Sequence, residues 1–176
     1  MTNAAVAHHE AGHAVATVAA FRMARRRPAV LVRRLEITNG GHCVSMSSPR
    51  MRSQIAIHLA GGLAESIHRG VPCLEFAVAH CGMAVDLMRA KAVAARCTGT
   101  LAQHADDTLA LLEASWPAVT ALATVLLEAG RIEGGRVEEI VVAAVPGIRY
   151  PFEPIVVGTN GRSDAPRQIP RKKGPR

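Results

Sequence analysis

The segment His9-Glu10-Ala11-Gly12-His13 constrains this chain more than any other part of it. It lies within residues 3–23, where Ala and Val recur throughout and Thr2 or Asn3 can cap the start, so the stretch reads as one helix. Residues four apart share a helix face, so both imidazoles can reach one metal ion. The glutamate beside the first histidine stands where it can take a proton from a metal-bound water. His8 adjoins the motif but has no glutamate in register, and it is left out of the site. Two histidines do not complete a catalytic site of this kind, which takes three protein ligands and a water. Ala16 and Ala19 stand where the metzincin pattern needs Gly and His, which excludes that class. A later segment must therefore supply the third ligand and fold back onto the first helix.

Six residues are candidates: Glu36, His58, Glu65, His68, His80 and Asp86. Asp86 is the strongest on physical grounds. It opens a helix whose same face carries Ala90, Val93 and Cys97, a small apolar stripe that draws the carboxylate inward. A buried carboxylate needs a partner, and a metal ion is one. The competing reading is a first-turn carboxylate interacting with the helix dipole. Glu65 comes next. It shares a face with His58 and His68, away from the stripe of Ile55, Leu59, Leu63 and Ile67. Accepting the distal N–H of a ligand histidine is as open to it as direct ligation, and a water-facing glutamate is the ordinary alternative.

The rest of the chain is organised as one domain, which 176 residues accommodate. Hydrophobic residues at 49% and charged residues at 20% exclude disorder for most of it. Aromatics make up only 3%, and a core of small aliphatic side chains suits close helix packing better than a β-sandwich. Residues 30–38 and 42–47 read as two strands joined by Asn39-Gly40-Gly41, a hairpin signal. A helix is predicted over 50–69, broken by Gly70 and Pro72, and a loop over 71–84. Further helices are predicted over 85–97, 101–114, 117–129 and 135–144. The expected fold is mainly α with a small antiparallel β-hairpin. It occupies residues 1–146, and a Pro- and Gly-rich basic tail, expected to be disordered, occupies 147–176.

The charge balance of 21 basic to 14 acidic residues is uneven. Residues 160–176 hold six basic side chains and a single acid, Asp164, which leaves the globular part near neutral. A second basic stretch holds Arg22, Arg25, Arg26, Arg27, Arg33 and Arg34. Both read as a solvated face and a solubilising tail rather than a nucleic-acid surface, because no aromatics interleave the charges. Cys43, Cys73, Cys81 and Cys97 form no C-x-x-C pair and read as small buried hydrophobes. No apolar run reaches the roughly 18 residues of a membrane span, and no signal segment is visible. The expectation is a cytoplasmic chain with reduced thiols.

The sequence resembles the proteolytic domain of the FtsH family, the membrane-anchored AAA+ zinc proteases. The resemblance rests on Val6-Ala7-His8-His9-Glu10-Ala11-Gly12-His13-Ala14-Val15 and on Ile55-Ala56-Ile57-His58-Leu59-Ala60-Gly61-Gly62-Leu63-Ala64-Glu65. It extends through Asp86-Leu87 with Ala90 and Ala94, and through residues 109–140. It implies a helical zincin-type peptidase domain with Zn²⁺ on His9, His13 and Asp86 and with Glu10 as general base. It also implies an extended polypeptide substrate lying along an edge strand at His42, Cys43, Val44, Ser45 and Met46. Ser66 departs from the family, which often has a second glutamate there. The match begins at the N-terminus of this sequence, with no Walker A glycine loop and no membrane helix. The resemblance therefore implies a zinc metalloendopeptidase acting on unfolded or flexible chains without ATP. A homo-oligomer and a separate ATPase or chaperone in trans are the further partners it suggests. The alternatives are a zinc-binding or interaction module without efficient turnover and, less favoured, a nucleic-acid-associated protein.

Overall fold

The computed structural model describes residues 3–22, 30–37, 40–45 and 50–148. Among these residues the chain forms seven helices and three short strands. In order they are α1 (Asn3–Arg22), β1 (Val32–Glu36), β2 (His42–Ser45), α2 (Met51–His68), α3 (Leu74–His80), α4 (Ala84–Ala94), α5 (Leu101–Ala114), α6 (Trp116–Ala129), β3 (Arg131–Glu133) and α7 (Gly134–Ala144). The mainly helical class with a small antiparallel sheet follows from the composition, since Ala, Val and Leu fill the interior.

α1 is the central element. Every residue from Ala5 to Phe21 is buried, so this helix has no solvent face and must be covered on all sides. Its principal neighbours are α2 and α6, and the sheet lies across it. The contact with α2 is close. A Cβ at Gly12 would stand 2.5 Å from the Ala60 carbonyl oxygen and 2.6 Å from Ala64 Cβ. The backbones therefore meet where the sequence places Gly and Ala, which is the use of a core poor in aromatics. α2 sends Ile55, Leu59 and Leu63 into the core, and Leu111, Leu112, Leu122 and Leu126 of α5 and α6 complete it.

The sheet has the order β2-β1-β3, antiparallel throughout. Leu35 pairs with Cys43 on one side and with Ile132 on the other. Among the described residues β2 is thus an edge strand. The third strand was not expected from the sequence. It has only three residues and follows Gly130, whose φ of 72° turns the chain sharply out of α6.

The region 71–84 is not the loop expected. It contains α3, started by Cys73, whose Sγ accepts from the Phe76 N–H, and anchored by the buried Ala77. α4 is shorter than the expected 85–97. Its end tightens into i→i−3 bonds from the Arg96 and Cys97 amides before Gly99. Among the described residues no single helix is long and apolar enough to cross a membrane; α5 and α6 together would be, but they bend by 73° at their junction. Of the tail expected over 147–176, Gly147 and Ile148 are described and Ile148 is buried in the core; the rest lies outside the described residues, as do Thr2, Arg25, Arg26, Arg27, Asn39 and Met46.

Candidate metal centre

One turn of α1 brings the two histidine rings of the motif together. Their Nε2 atoms lie 3.2 Å apart. Asp86, in the first turn of α4, extends Oδ2 to 3.3 Å from His13 Nε2 and 3.7 Å from His9 Nε2. The ligand atoms of a tetrahedral ion with bonds near 2 Å stand about 3.3 Å from one another. The three atoms therefore outline one face of such a coordination sphere. Among the described residues this is the group of His, Cys, Asp and Glu side chains able to hold a metal ion.

Each ring is oriented from behind. His13 Nδ1–H donates to the Ile57 carbonyl oxygen at 2.7 Å, and a carbonyl can only accept, so Nε2 is left bare. His9 Nδ1–H faces Glu65 Oε2 at 3.4 Å, and the other Glu65 oxygen accepts from Arg69 Nη2 at 2.6 Å. Glu65 has no exposed surface. Burial alone would raise its pKa, but the hydrogen bonds from His9 and Arg69 outweigh that and hold it below the ordinary carboxylate value. It is an ionised acceptor behind His9, one of the roles open to it in the sequence, and not the water-facing glutamate.

The centre also depends on a residue that sequence reasoning gave no role. Gly61 of α2 faces both imidazoles, and a Cβ there would collide with His13 Nε2 and lie 2.6 Å from His9 Nε2. The next glycine, Gly62, admits Met83, whose Sδ would be 2.6 Å from a Cβ. Met83 is fully buried and precedes Asp86 by three residues, so this contact seats the start of α4. The signal was present. Two adjacent glycines inside a helix each cost about 1 kcal/mol relative to alanine, which asks for a packing reason.

Asp86 is half-buried rather than drawn fully inward, its side chain 19% exposed. Burial opposes its charge, but hydrogen bonding to His13 and His9 prevails and keeps it well below the usual carboxylate range. His9 is pushed up to about 9. Burial works against its charge, and the hydrogen bonds to Asp86 and Glu65 with the charges of Glu10 and Asp86 outweigh it. Glu10 shifts the other way for a carboxyl. Burial raises it, with the His13 and His9 charges opposing.

Glu36, His68 and His80 stand elsewhere. Glu36 Oε2 lies 3.4 Å from Arg34 Nε within the sheet. His68 stacks on His8 with ring centroids 3.9 Å apart, and His8 stacks in turn on Trp116. His80 lies against Phe76. His58 stays near the centre: it is half-buried, its pKa is lowered chiefly by burial, and the charges of Asp86, His13 and Arg89 also act on it. The described cysteines are all free; Cys81 is buried and the other three are half-buried, so the expectation of buried hydrophobes holds fully only for Cys81. In the basic stretch, Arg22 donates to the Pro146 carbonyl oxygen at 2.9 Å.

A cleft of about 360 Å³ opens over the centre. α1 contributes His9, Glu10 and His13 to it, the β2 side contributes Gly41, His42 and Cys43, and α4 contributes Asp86. Gly41 passes so close that a Cβ on it would stand 2.5 Å from Glu10 Oε1. Three side chains able to hold a metal ion, a carboxylate that does not join them and an exposed strand edge thus face one cavity. No family model matches the chain, and no curated protein matches it.

Proposed function

We propose that this chain is a zinc-dependent endopeptidase, an FtsH-like peptidase domain that hydrolyses peptide bonds in unfolded or flexible polypeptides. The observation that carries the reading is the convergence of His9 Nε2, His13 Nε2 and Asp86 Oδ2, with Glu10 in the same cleft. Two imidazoles and one carboxylate are a borderline donor set that suits zinc better than magnesium or calcium. The clearance at Gly61 leaves room for an ion between the rings. When bound, zinc supplies a Lewis acid that acidifies water and polarises a carbonyl.

The chain's own residues do the rest. His9, His13 and Asp86 would hold the ion, with Glu65 and the Ile57 carbonyl fixing the two rings. Glu10 takes the proton of the attacking water and delivers it to the leaving amine. The edge of β2, through His42, Cys43, Val44 and Ser45, offers main-chain groups to an extended substrate. Cytoplasmic working conditions with reduced thiols fit four unpaired cysteines. Metal analysis of the purified chain, with a degradation assay on a casein-like substrate with and without chelator, tests the reading. About one zinc per chain and chelator-sensitive cleavage support it; a metal-free chain, or cleavage that chelator leaves intact, overturns it.

A further inference from the structure

Resting on the peptidase reading, we propose that Arg89 makes this cleft select a carboxylate beside the reacting bond. That group is an acidic side chain of the substrate or its free C-terminus. α4 presents Val85, Asp86 and Arg89 to the cleft along one wall, as residues spaced by three and four do. Among the described residues, Arg89 is the one Lys or Arg that lines the cleft. Its side chain is 59% exposed, and its nearest anionic atom among the described residues is Asp86 Oδ1, 3.9 Å from Nη1 and beyond hydrogen-bond length.

Asp86 is divided between two tasks. Oδ2 faces the imidazoles and Oδ1 faces Arg89. With a divalent ion in place, the ion offsets the charges of Asp86 and Glu10, and Arg89 remains as an uncompensated positive charge in the cleft. Its guanidinium offers five donors in a planar fork that matches a carboxylate in two parallel bonds. It sits one side chain away from a metal ligand, so the group it meets belongs to a residue next to the scissile bond. A lysine or arginine of the substrate is disfavoured at the same place.

The test uses the zinc-loaded chain and fluorogenic peptides that differ only in Glu, Gln or Lys at one position, scanned along the peptide. A pair with a free or amidated C-terminus separates the side-chain source of the carboxylate from the terminal one. The expected preference is Glu over Gln by about three- to tenfold in kcat/KM, the scale of a partly exposed ion pair. The ratio falls to about one in Arg89→Gln, turns toward Lys in Arg89→Glu, and persists in Lys91→Gln. Calorimetry on zinc-loaded Glu10→Gln with the same peptides reads the preference without turnover. Binding that favours the acidic peptide through Arg89 in a chain that cleaves nothing would remove the peptidase reading and keep the carboxylate site. Cleavage and binding that treat Glu and Gln alike, or a preference that survives Arg89→Gln, would overturn the proposal.

Discussion

His9 Nε2 and His13 Nε2 face each other at 3.2 Å while both rings commit Nδ1–H to acceptors behind them. The two Nε2 atoms and the Asp86 carboxylate oxygen converge on one point. Such an arrangement asks for a positive charge, and a metal ion and a proton compete for it.

That competition has a measurable consequence. Without metal, His9 is pushed from its ordinary 6.5 up to about 9, so at neutral pH it carries a proton that an incoming ion must displace. Zinc uptake near pH 7 should release about one proton per chain. Calorimetric titration in two buffers of different ionisation enthalpy reads this number, and proton-free uptake would contradict a protonated His9 in the metal-free centre.

The same shifts set the pH dependence of the metal-free fold. A raised histidine contributes stability that is full below its unfolded value of 6.5 and is lost as pH rises through about 9. Asp86 is depressed, so its contribution is present above its unfolded value of 3.8 and is lost on acidification through its lower folded value. With chelator present, the melting temperature should decline from near pH 6.5 toward pH 9. A stability that rises over that interval would contradict the assignment.

Gly61→Ala tests the clearance over the centre. The added methyl meets both ligand nitrogens, while alanine favours the helix by about 1 kcal/mol over glycine. The variant should keep its helical circular dichroism and lose most of its zinc. Full metal occupancy would show that the imidazoles are free to swing elsewhere.

Removing ligands and their supports should give a ranked series. Asp86→Ala takes away a donor and should cut zinc affinity sharply. Glu65→Gln keeps an acceptor for His9 but loses the charge held by Arg69, and it should weaken affinity by about 10–100-fold. Competition with a chromophoric chelator orders the two. A larger loss in Glu65→Gln would move the third ligand to that residue.

What was legible in the sequence was whatever depends on local spacing. A separation of four residues places His9 and His13 together by helix geometry alone, and the four-residue stripe of Ile55, Leu59 and Leu63 marks the buried side of α2. Asp86 could be reasoned toward because its own helix carries Ala90 on the same face, although it proved half-buried. α3 and β3 were not legible. Seven residues with one buried position make no periodic stripe, and a three-residue strand exists only because β1 lies beside it. The clearance at Gly61, the contact of Gly41 with Glu10 and the place of Arg89 in the cleft arise from tertiary convergence, which no local pattern encodes.

The dependence on foldedness of the substrate follows from the edge strand. A peptide that adds to β2 needs an extended backbone, which a stably folded protein exposes only when it opens. Global opening against roughly 5–15 kcal/mol leaves a very small population to attack. Casein-like chains should be cleaved without ATP, and tightly folded proteins slowly or not at all. Efficient degradation of a stable folded protein by this chain alone would refute the substrate class.

The central claim is that Glu10 works as a base beside an ion it does not hold. The most direct measurement is a side-by-side assay of the unmodified chain and Glu10→Gln, each analysed for bound zinc and for turnover of the same unstructured substrate. The account predicts equal zinc in both, cleavage by the first and a loss of at least about a hundredfold in the second. Equal turnover by the two proteins, or loss of zinc together with loss of activity in Glu10→Gln, would contradict it.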